Sequence, residues 1–89
     1  KDSMGSNIET LYHMFDSRVE AIEFRVSENS AVTDVPLKEL QLKKNLLISF
    51  INRNGKILIP SGQDSILLGD TVMIVTTNTG LDDIRDILL

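Results

Sequence analysis

The stretch from Leu46 to Ile59, which reads LLISFINRNGKILI, decides the fold of this chain. Leu46–Asn52 is a nearly continuous apolar run, and a short run of this kind is typical of a buried β-strand. Asn54-Gly55 is the strongest two-residue hairpin signal, because both central positions of a type I′ turn need positive φ. Lys56–Ile59 then supplies a returning strand that ends at Pro60. The stretch therefore predicts two antiparallel strands.

Two further segments have the pattern of strands. Val19–Val26 alternates, with Ile22, Phe24 and Val26 facing one way, which is typical of a strand that buries one face. Thr71–Thr77 is rich in β-branched residues, which are common in strands. Together with the hairpin, these segments predict a sheet that is mainly antiparallel.

Three segments predict short helices. Apolar residues in Ile8–Phe15 recur at i, i+3, i+4 and i+7, which predicts an amphipathic helix that starts beside Ser6 or Asn7. A proline precedes Leu37–Leu42, and proline is well tolerated in the first turn of a helix. Leu81–Leu89 has one apolar side and acidic residues in its first turn, where the helix dipole favours them. We therefore expect a small single domain of the α+β class, a mainly antiparallel sheet with short helices.

Composition argues against several classes of protein. Thirteen acidic residues oppose nine basic ones among the 89, so the chain lacks the basic footprint of a nucleic-acid binder. Its uncharged stretches fall short of the roughly 20 apolar residues that a membrane-spanning helix requires, so we expect no direct membrane insertion. The absence of cysteine excludes disulfides and metal sites made of thiolates.

No set of residues has the pattern of an active site, so we expect a protein that is not an enzyme. His13 is the only histidine, and no nucleophile or acid is recognisably paired with it. Asp82, Asp83 and Asp86 are carboxylates, which hard metal ions prefer. Acids in the first turn of a helix are common without any metal, however. We therefore expect neither catalytic residues nor a metal site.

Five short motifs occur in a fixed order between Val19 and Leu89. They are VEAIEFRV at 19–26, PLKEL at 36–40, NLLI at 45–48, ILIP at 57–60 and LGDTVMIV at 68–75. In order and spacing they resemble the C-terminal domain of bacterial TrkA-type regulators of potassium uptake, also called the RCK C-domain. The resemblance implies a TrkA-C-like fold for residues 19–89, and residues 1–18 resemble the lead-in and connecting helix from an upstream nucleotide-binding domain.

The resemblance also implies a function and a set of partners. It implies a cytoplasmic regulatory domain, peripheral to the inner face of the plasma membrane in the full-length protein, that senses a small ligand and controls a membrane-embedded potassium transporter subunit. A nucleotide cofactor is expected only in the upstream domain, and none in this fragment. A homodimer is expected as well, because the apolar run at Leu46–Ile51 exceeds what one small core can cover.

The candidate ligand-binding residues are Lys43, Asn45 and Leu46. Some relatives bind cyclic di-AMP between two such domains, through an aspartate, an arginine and an Asn-Ile pair. Asn45-Leu46 resembles that pair, whereas Gln41 stands in place of the aspartate and Lys43 in place of the arginine. Lysine offers a point charge where arginine offers a planar fork. Cyclic di-AMP therefore remains one alternative, and a purely structural subunit-interaction domain without a ligand remains the other.

Overall fold

The computed structural model describes residues 8–16 and 18–89, and these form a five-stranded sheet. The strands are β1 (Ile8–Met14), β2 (Val19–Arg25), β3 (Leu46–Arg53), β4 (Lys56–Leu58) and β5 (Thr71–Thr76). Two short 3₁₀ helices span Leu37–Glu39 and Ile84–Ile87. The predicted antiparallel sheet is confirmed, but the helical part of the α+β prediction reduces to these 3₁₀ helices.

The strands lie in the order β1-β2-β5-β3-β4, and every neighbouring pair is antiparallel. β5 lies at the centre because it pairs with β2 on one side and with β3 on the other. Its Ile74 stands opposite Ile22 of β2 and Ile48 of β3. The last strand in the sequence thus joins the two hairpins into one sheet.

The hairpin predicted at Asn54-Gly55 is confirmed. Arg53 stands opposite Lys56, and the two turn residues have φ values of 54° and 83°. The backbone N–H of Gly55 also donates a hydrogen bond to Oδ1 of Asn52. An asparagine followed by a glycine tolerates positive φ at both turn positions, so these residues favour the turn that returns β3 into β4.

The helix predicted over Ile8–Phe15 is wrong, because Ile8–Met14 is strand β1 and pairs with β2, with a register shift between Ile8 and Thr10. In a strand, adjacent residues point to opposite faces, so Leu11 and Tyr12 do not share the stripe that the helical spacing indicated. Phe15 lies beyond the strand and is 70% exposed. The predicted helix start at Ser6 or Asn7 falls outside the described residues.

The two other predicted helices are shorter than expected. The first ends at Glu39 because Leu40 is already extended, with ψ of 140°. Leu42 then forms a β-bridge with Leu88, which is incompatible with a helix over Leu37–Leu42. At the C-terminus only Ile84–Ile87 is helical, and Leu88 is extended. Pairing between these two segments replaces the helical hydrogen bonds.

The core lies on one side of the sheet. It is built from buried side chains of β2, β3 and β5 and from the connecting segments that cover them: Ile22, Phe24, Val26, Val32, Ile51, Ile66, Val72, Ile74, Leu81, Ile84 and Ile87. The other side, which we call the open side, carries Met73 and Val75 at intermediate burial and Leu47 at 60% exposure. Leu46–Asn52 is thus less buried in the single chain than predicted.

No helix within residues 8–16 and 18–89 has the length and apolar character needed to cross a membrane.

Candidate functional site

A pocket of about 470 Å³ lies at the end of the sheet where β2 and β3 begin and β5 ends. Three strands that are distant in sequence contribute to it because their registers bring Glu20 and Leu46 opposite Thr76. Its wall is mostly aliphatic and also includes one amide and two hydroxyl side chains. The lining residues are Val19, Asn45, Leu46, Leu47, Val75, Thr76 and Thr77.

Asn45 has an unusual backbone conformation at this pocket, with φ of 60°. Asparagine tolerates the left-handed region better than most residues. Its carbonyl oxygen accepts hydrogen bonds from Oγ1 of Thr76 at 2.8 Å and from the N–H of Thr77 at 3.1 Å. The Asn45 backbone is therefore attached to the end of β5.

The exposed side chain of Asn45 remains available to a ligand. Within residues 8–16 and 18–89, no hydrogen bond engages its amide group. The amide nitrogen can donate two hydrogen bonds and the oxygen can accept two. The pocket thus combines an aliphatic wall with a few polar groups, among them the Asn45 amide, a combination that is common in small-molecule sites.

Lys43 lies in a different environment from the other two predicted residues. Its Nζ donates hydrogen bonds to the carbonyl oxygens of Asp86 and Leu88, at 2.5 and 2.8 Å. Its backbone N–H donates to the carbonyl of Ile87 at 2.8 Å. The ammonium group thus satisfies carbonyls at the end of the second 3₁₀ helix, where cations are favourable. The structure brings Asn45 and Leu46 together at the pocket and places the Lys43 ammonium at the C-terminal turn.

Five residues that line the pocket were not predicted from the sequence: Val19, Leu47, Val75, Thr76 and Thr77. These residues stand at the ends of correctly predicted strands, but their meeting with Asn45 depends on the order of strands in the sheet. The sequence contained one usable signal, a Thr-Thr pair directly after the apolar part of β5. Threonine at a strand end offers a hydroxyl to neighbouring backbone, as Thr76 does for Asn45.

A cluster of hydrogen-bonded polar residues stabilises the Gly69-Asp70 turn. Asp70 is 1% exposed, and its carboxylate accepts two hydrogen bonds from Arg53, each of 2.9 Å. It also accepts from the N–H of Leu67, and Arg53 donates to the carbonyl of Ser65. The hydrogen bonding of the Arg53 guanidinium to the Asp70 carboxylate is the main cause that raises the pKa of Arg53 above its usual value. This cluster joins the end of β3 to the turn that leads into β5.

The acidic residues near the C-terminus satisfy backbone groups. The carboxylate of Asp83 accepts from the N–H and from Nε of Arg85, and that of Asp86 accepts from the N–H groups of Asp82 and Asp83. Burial raises the pKa of Asp83, but the hydrogen bonds from Arg85 outweigh it, so the net pKa is lowered. Among the described residues no group of three or more His, Cys, Asp or Glu side chains is arranged to hold a metal ion.

His13 lies on β1 and is not among the residues that line the pocket. Its Nδ1 is 3.9 Å from Oε2 of Glu20, whose side chain is only 7% exposed, against 49% for the histidine. The imidazole is thus half-exposed to solvent on β1, an edge strand of the sheet.

Comparison with known proteins gives consistent matches. A sequence model of the TrkA-C domain matches residues 21–89. A Trk system potassium uptake protein TrkA homolog of Pyrococcus abyssi is 37% identical over 70 residues, which cover 78% of this chain and 31% of that protein. A TrkA homolog 1 of Methanosarcina mazei is 31% identical over 85 residues, which cover 96% of this chain and 19% of that protein. The chain thus spans a third or less of the length of these relatives.

Proposed function

Because the chain belongs to the TrkA-C domain family, we propose that it senses a small ligand and thereby controls a membrane-embedded potassium transporter subunit. The names of the relatives, Trk system potassium uptake proteins, support regulation of potassium transport. Both relatives are archaeal, so the expected bacterial origin stays a prediction. In the proposed full-length protein this domain is cytoplasmic, lies against the inner face of the plasma membrane, and follows a nucleotide-binding domain.

The pocket beside Asn45 is the observation that carries the sensing part of the proposal. Its volume of about 470 Å³ lies within the range of small-molecule sites. The aliphatic side chains of Leu47 and Val75, which stand opposite each other on the open side, offer an apolar wall to a purine. The Asn45 amide can form hydrogen bonds with the polar edge of that purine. We propose that Lys43 contributes indirectly, because its ammonium binds carbonyls of the C-terminal turn and thereby anchors the segment that leads to Asn45.

Cyclic di-AMP is the ligand with which to test this site. Titration calorimetry on the wild type should give a saturable heat. Asn45→Gly is the informative variant, because glycine accepts the φ of 60° and removes only the amide. We expect it to weaken binding about tenfold, the loss of one or two ligand hydrogen bonds.

Asn54→Gly is the matched control for that experiment. It makes the same substitution at another asparagine with positive φ, in the β3–β4 hairpin, outside the pocket. It should leave the affinity unchanged. Lys43→Ala should lower the melting temperature and weaken binding less than Asn45→Gly, because its ammonium contacts the C-terminal carbonyls. If Asn45→Gly bound cyclic di-AMP with the same heat and affinity as the wild type, the ligand would bind elsewhere on the domain.

A structural interaction domain without a ligand is the second candidate function. It is favoured by the engagement of Lys43, the residue that stands in place of the arginine expected in nucleotide-binding relatives, with carbonyls of its own chain. If correctly folded wild type gave no heat of binding at high micromolar cyclic di-AMP, this nucleotide would be excluded as the ligand. That result would favour the second candidate.

Under both candidates we propose that the domain forms a homodimer. Large apolar side chains are exposed on the open side and at the sheet edges, including Tyr12 at 54%, Leu47 at 60% and Ile57 at 58%. Apolar surface of this kind commonly marks a protein–protein contact. A second copy that covers part of it would shield it from water.

A further inference from the structure

The β3–β4 hairpin carries Asn54, the only asparagine of the sequence that is followed by glycine. In such a pair the backbone nitrogen of the glycine can attack the side-chain carbonyl carbon of the asparagine, which closes a small ring. Glycine favours this attack because it has no Cβ that would shield its own nitrogen. The turn therefore holds both reactants of a cyclisation in two consecutive residues.

The structure leaves both reactants accessible. Asn54 and Gly55 are exposed, and among residues 8–16 and 18–89 no hydrogen bond engages the Asn54 side chain. In the same part of the chain, no atom beyond Gly55 and its two chain neighbours lies within 4 Å of the position that a Cβ would take at Gly55. The Asn54 amide is thus free to rotate, and no other side chain fills the space beside the glycine.

Two other asparagines show what is particular to Asn54. Asn45 is exposed and has a φ of 60°, close to the 54° of Asn54, but the bulky Leu46 follows it. The amide nitrogen of Asn78 is held by hydrogen bonds of 2.8 and 3.0 Å. Exposure, a free amide group and a following glycine therefore coincide at Asn54.

One hydrogen bond restrains the glycine nitrogen in the folded hairpin. The N–H of Gly55, which must lose its proton in the attack, donates to Oδ1 of Asn52 at 3.1 Å. Local opening of the hairpin releases this N–H. Such opening costs little where few side chains are buried, and β4 is a three-residue edge strand of which two residues are exposed. Asn52 thus limits how often the Gly55 nitrogen is available.

We propose that Asn54 is a site of spontaneous deamidation in the folded domain and that Asn52 restrains the reaction. The Gly55 nitrogen loses its proton and bonds to Cγ of Asn54, the bond from Cγ to Nδ2 breaks, and Nδ2 leaves with that proton as ammonia. Water then opens the resulting succinimide. Hydrolysis between Cγ and the Gly55 nitrogen gives aspartate, whereas hydrolysis between the backbone carbonyl carbon and that nitrogen gives isoaspartate.

The two products differ in their effect on the hairpin. Aspartate before glycine still suits a type I′ turn. Isoaspartate routes the main chain through Cβ and Cγ, which adds one carbon to the turn and misaligns Arg53 with Lys56, its partner in the register. Arg53 also binds the buried Asp70 carboxylate, so isoaspartate at position 54 loosens the turn that leads into β5.

Timed incubation of the folded chain at mildly alkaline pH, followed by peptide mapping with mass spectrometry, tests the proposal. Aspartate and isoaspartate should accumulate at position 54 well before any change at Asn45, the internal control with similar φ and exposure. The isoaspartate form, separated by ion exchange, should unfold at a lower temperature than Asn54→Asp, which has the same charge and an intact main chain.

The role of Asn52 has its own readout. Asn52→Ala should make conversion at position 54 about fivefold faster, the factor that corresponds to the loss of one exposed hydrogen bond. Asn78→Ala is the matched control, because it removes another hydrogen-bonded amide outside the hairpin. It should leave the rate at position 54 unchanged.

The chain unfolded in guanidinium chloride gives the reference rate, since the turn no longer restrains Asn54 there. If Asn54 stayed intact in the folded chain while it converted completely in the unfolded one, the folded turn would block the reaction and the proposal would be wrong. An Asn52→Ala rate equal to that of the wild type would overturn the restraint assigned to Asn52. Neither measurement depends on a ligand or a transporter, so the sensing proposal is tested independently.

Discussion

At the scale of single residues, the Arg53–Asp70 pair contains the most buried charged group that we describe, the Asp70 carboxylate. Asp70 is 1% exposed, whereas the Arg53 side chain is 29% exposed, so the carboxylate depends on the guanidinium and on the Leu67 N–H for its hydrogen bonds. A buried charge that loses its partner is strongly destabilising. The pair thus explains why the turn before β5 carries an aspartate.

We expect Arg53→Met to lower the free energy of unfolding by about 3 kcal/mol, because methionine keeps the aliphatic volume and leaves the Asp70 carboxylate unpaired. Urea denaturation measures this change. Lys56→Met, at an exposed position of β4, is the control and should cost little. A loss below about 1 kcal/mol for Arg53→Met would mean that water replaces the guanidinium at Asp70.

Asp83 gives the domain a dependence on acid pH. Its pKa in the folded state is lowered, so its contribution to stability is fully present above the unfolded pKa, about 3.9, and is lost as the pH falls through the folded value. Below about pH 4 the wild type should therefore lose stability more steeply than Asp83→Asn. Denaturation curves at pH 6, 4 and 3 provide the comparison, and parallel slopes would contradict the assignment.

At the scale of elements, backbone conformation at the turns determines how strands are joined. Asn54 and Gly55 both have positive φ. Among residues 8–16 and 18–89, no atom other than those of Gly55 and its two chain neighbours lies within 4 Å of the position that a Cβ would take at Gly55. A side chain at Gly55 would therefore meet no clash, and its cost would come from the backbone alone. Substitutions in the β3–β4 hairpin therefore measure the cost of backbone strain without a contribution from side-chain clashes.

Asn54→Val and Gly55→Val should each reduce the free energy of unfolding by about 1 kcal/mol, because a β-branched residue resists positive φ. Thermal and urea unfolding of each variant measure the loss. Asn54→Gly keeps the conformation accessible and should stay close to the wild type. A valine variant with wild-type stability would show that the turn tolerates negative φ.

At the scale of the whole molecule, a small sheet with one covered side leaves apolar residues exposed. Leu47 and Ile57 remain 60% and 58% exposed although each lies in a paired strand. A domain of this size buries a modest fraction of its surface, so association with a second copy would add to its stability.

We expect the isolated chain to sediment at micromolar concentration with about twice its 9.9 kDa mass. Its melting temperature should rise with protein concentration, because association stabilises the folded state by mass action. A single species of monomer mass up to high concentration, with a melting temperature that does not vary, would exclude the homodimer.

The strands of the domain could be predicted because their signals are local. Alternation over Val19–Val26 placed Ile22 and Phe24 in the core, where both are completely buried. The Asn54-Gly55 pair located the hairpin correctly. The ligand-binding role of Lys43, Asn45 and Leu46 stays a prediction. Asn45 and Leu46 line the pocket, while the ammonium of Lys43 contacts the C-terminal turn.

The sequence by itself thus determined four strands, the hairpin and the family, because period-two alternation, turn dipeptides and motif order are carried by neighbouring residues. Tertiary structure decided whether Ile8–Met14 is a helix or a strand. Its apolar spacing allows a helix, but pairing with β2 satisfies its backbone in the sheet. Tertiary structure also decided the pocket, because its wall exists only where β2, β3 and β5 lie side by side.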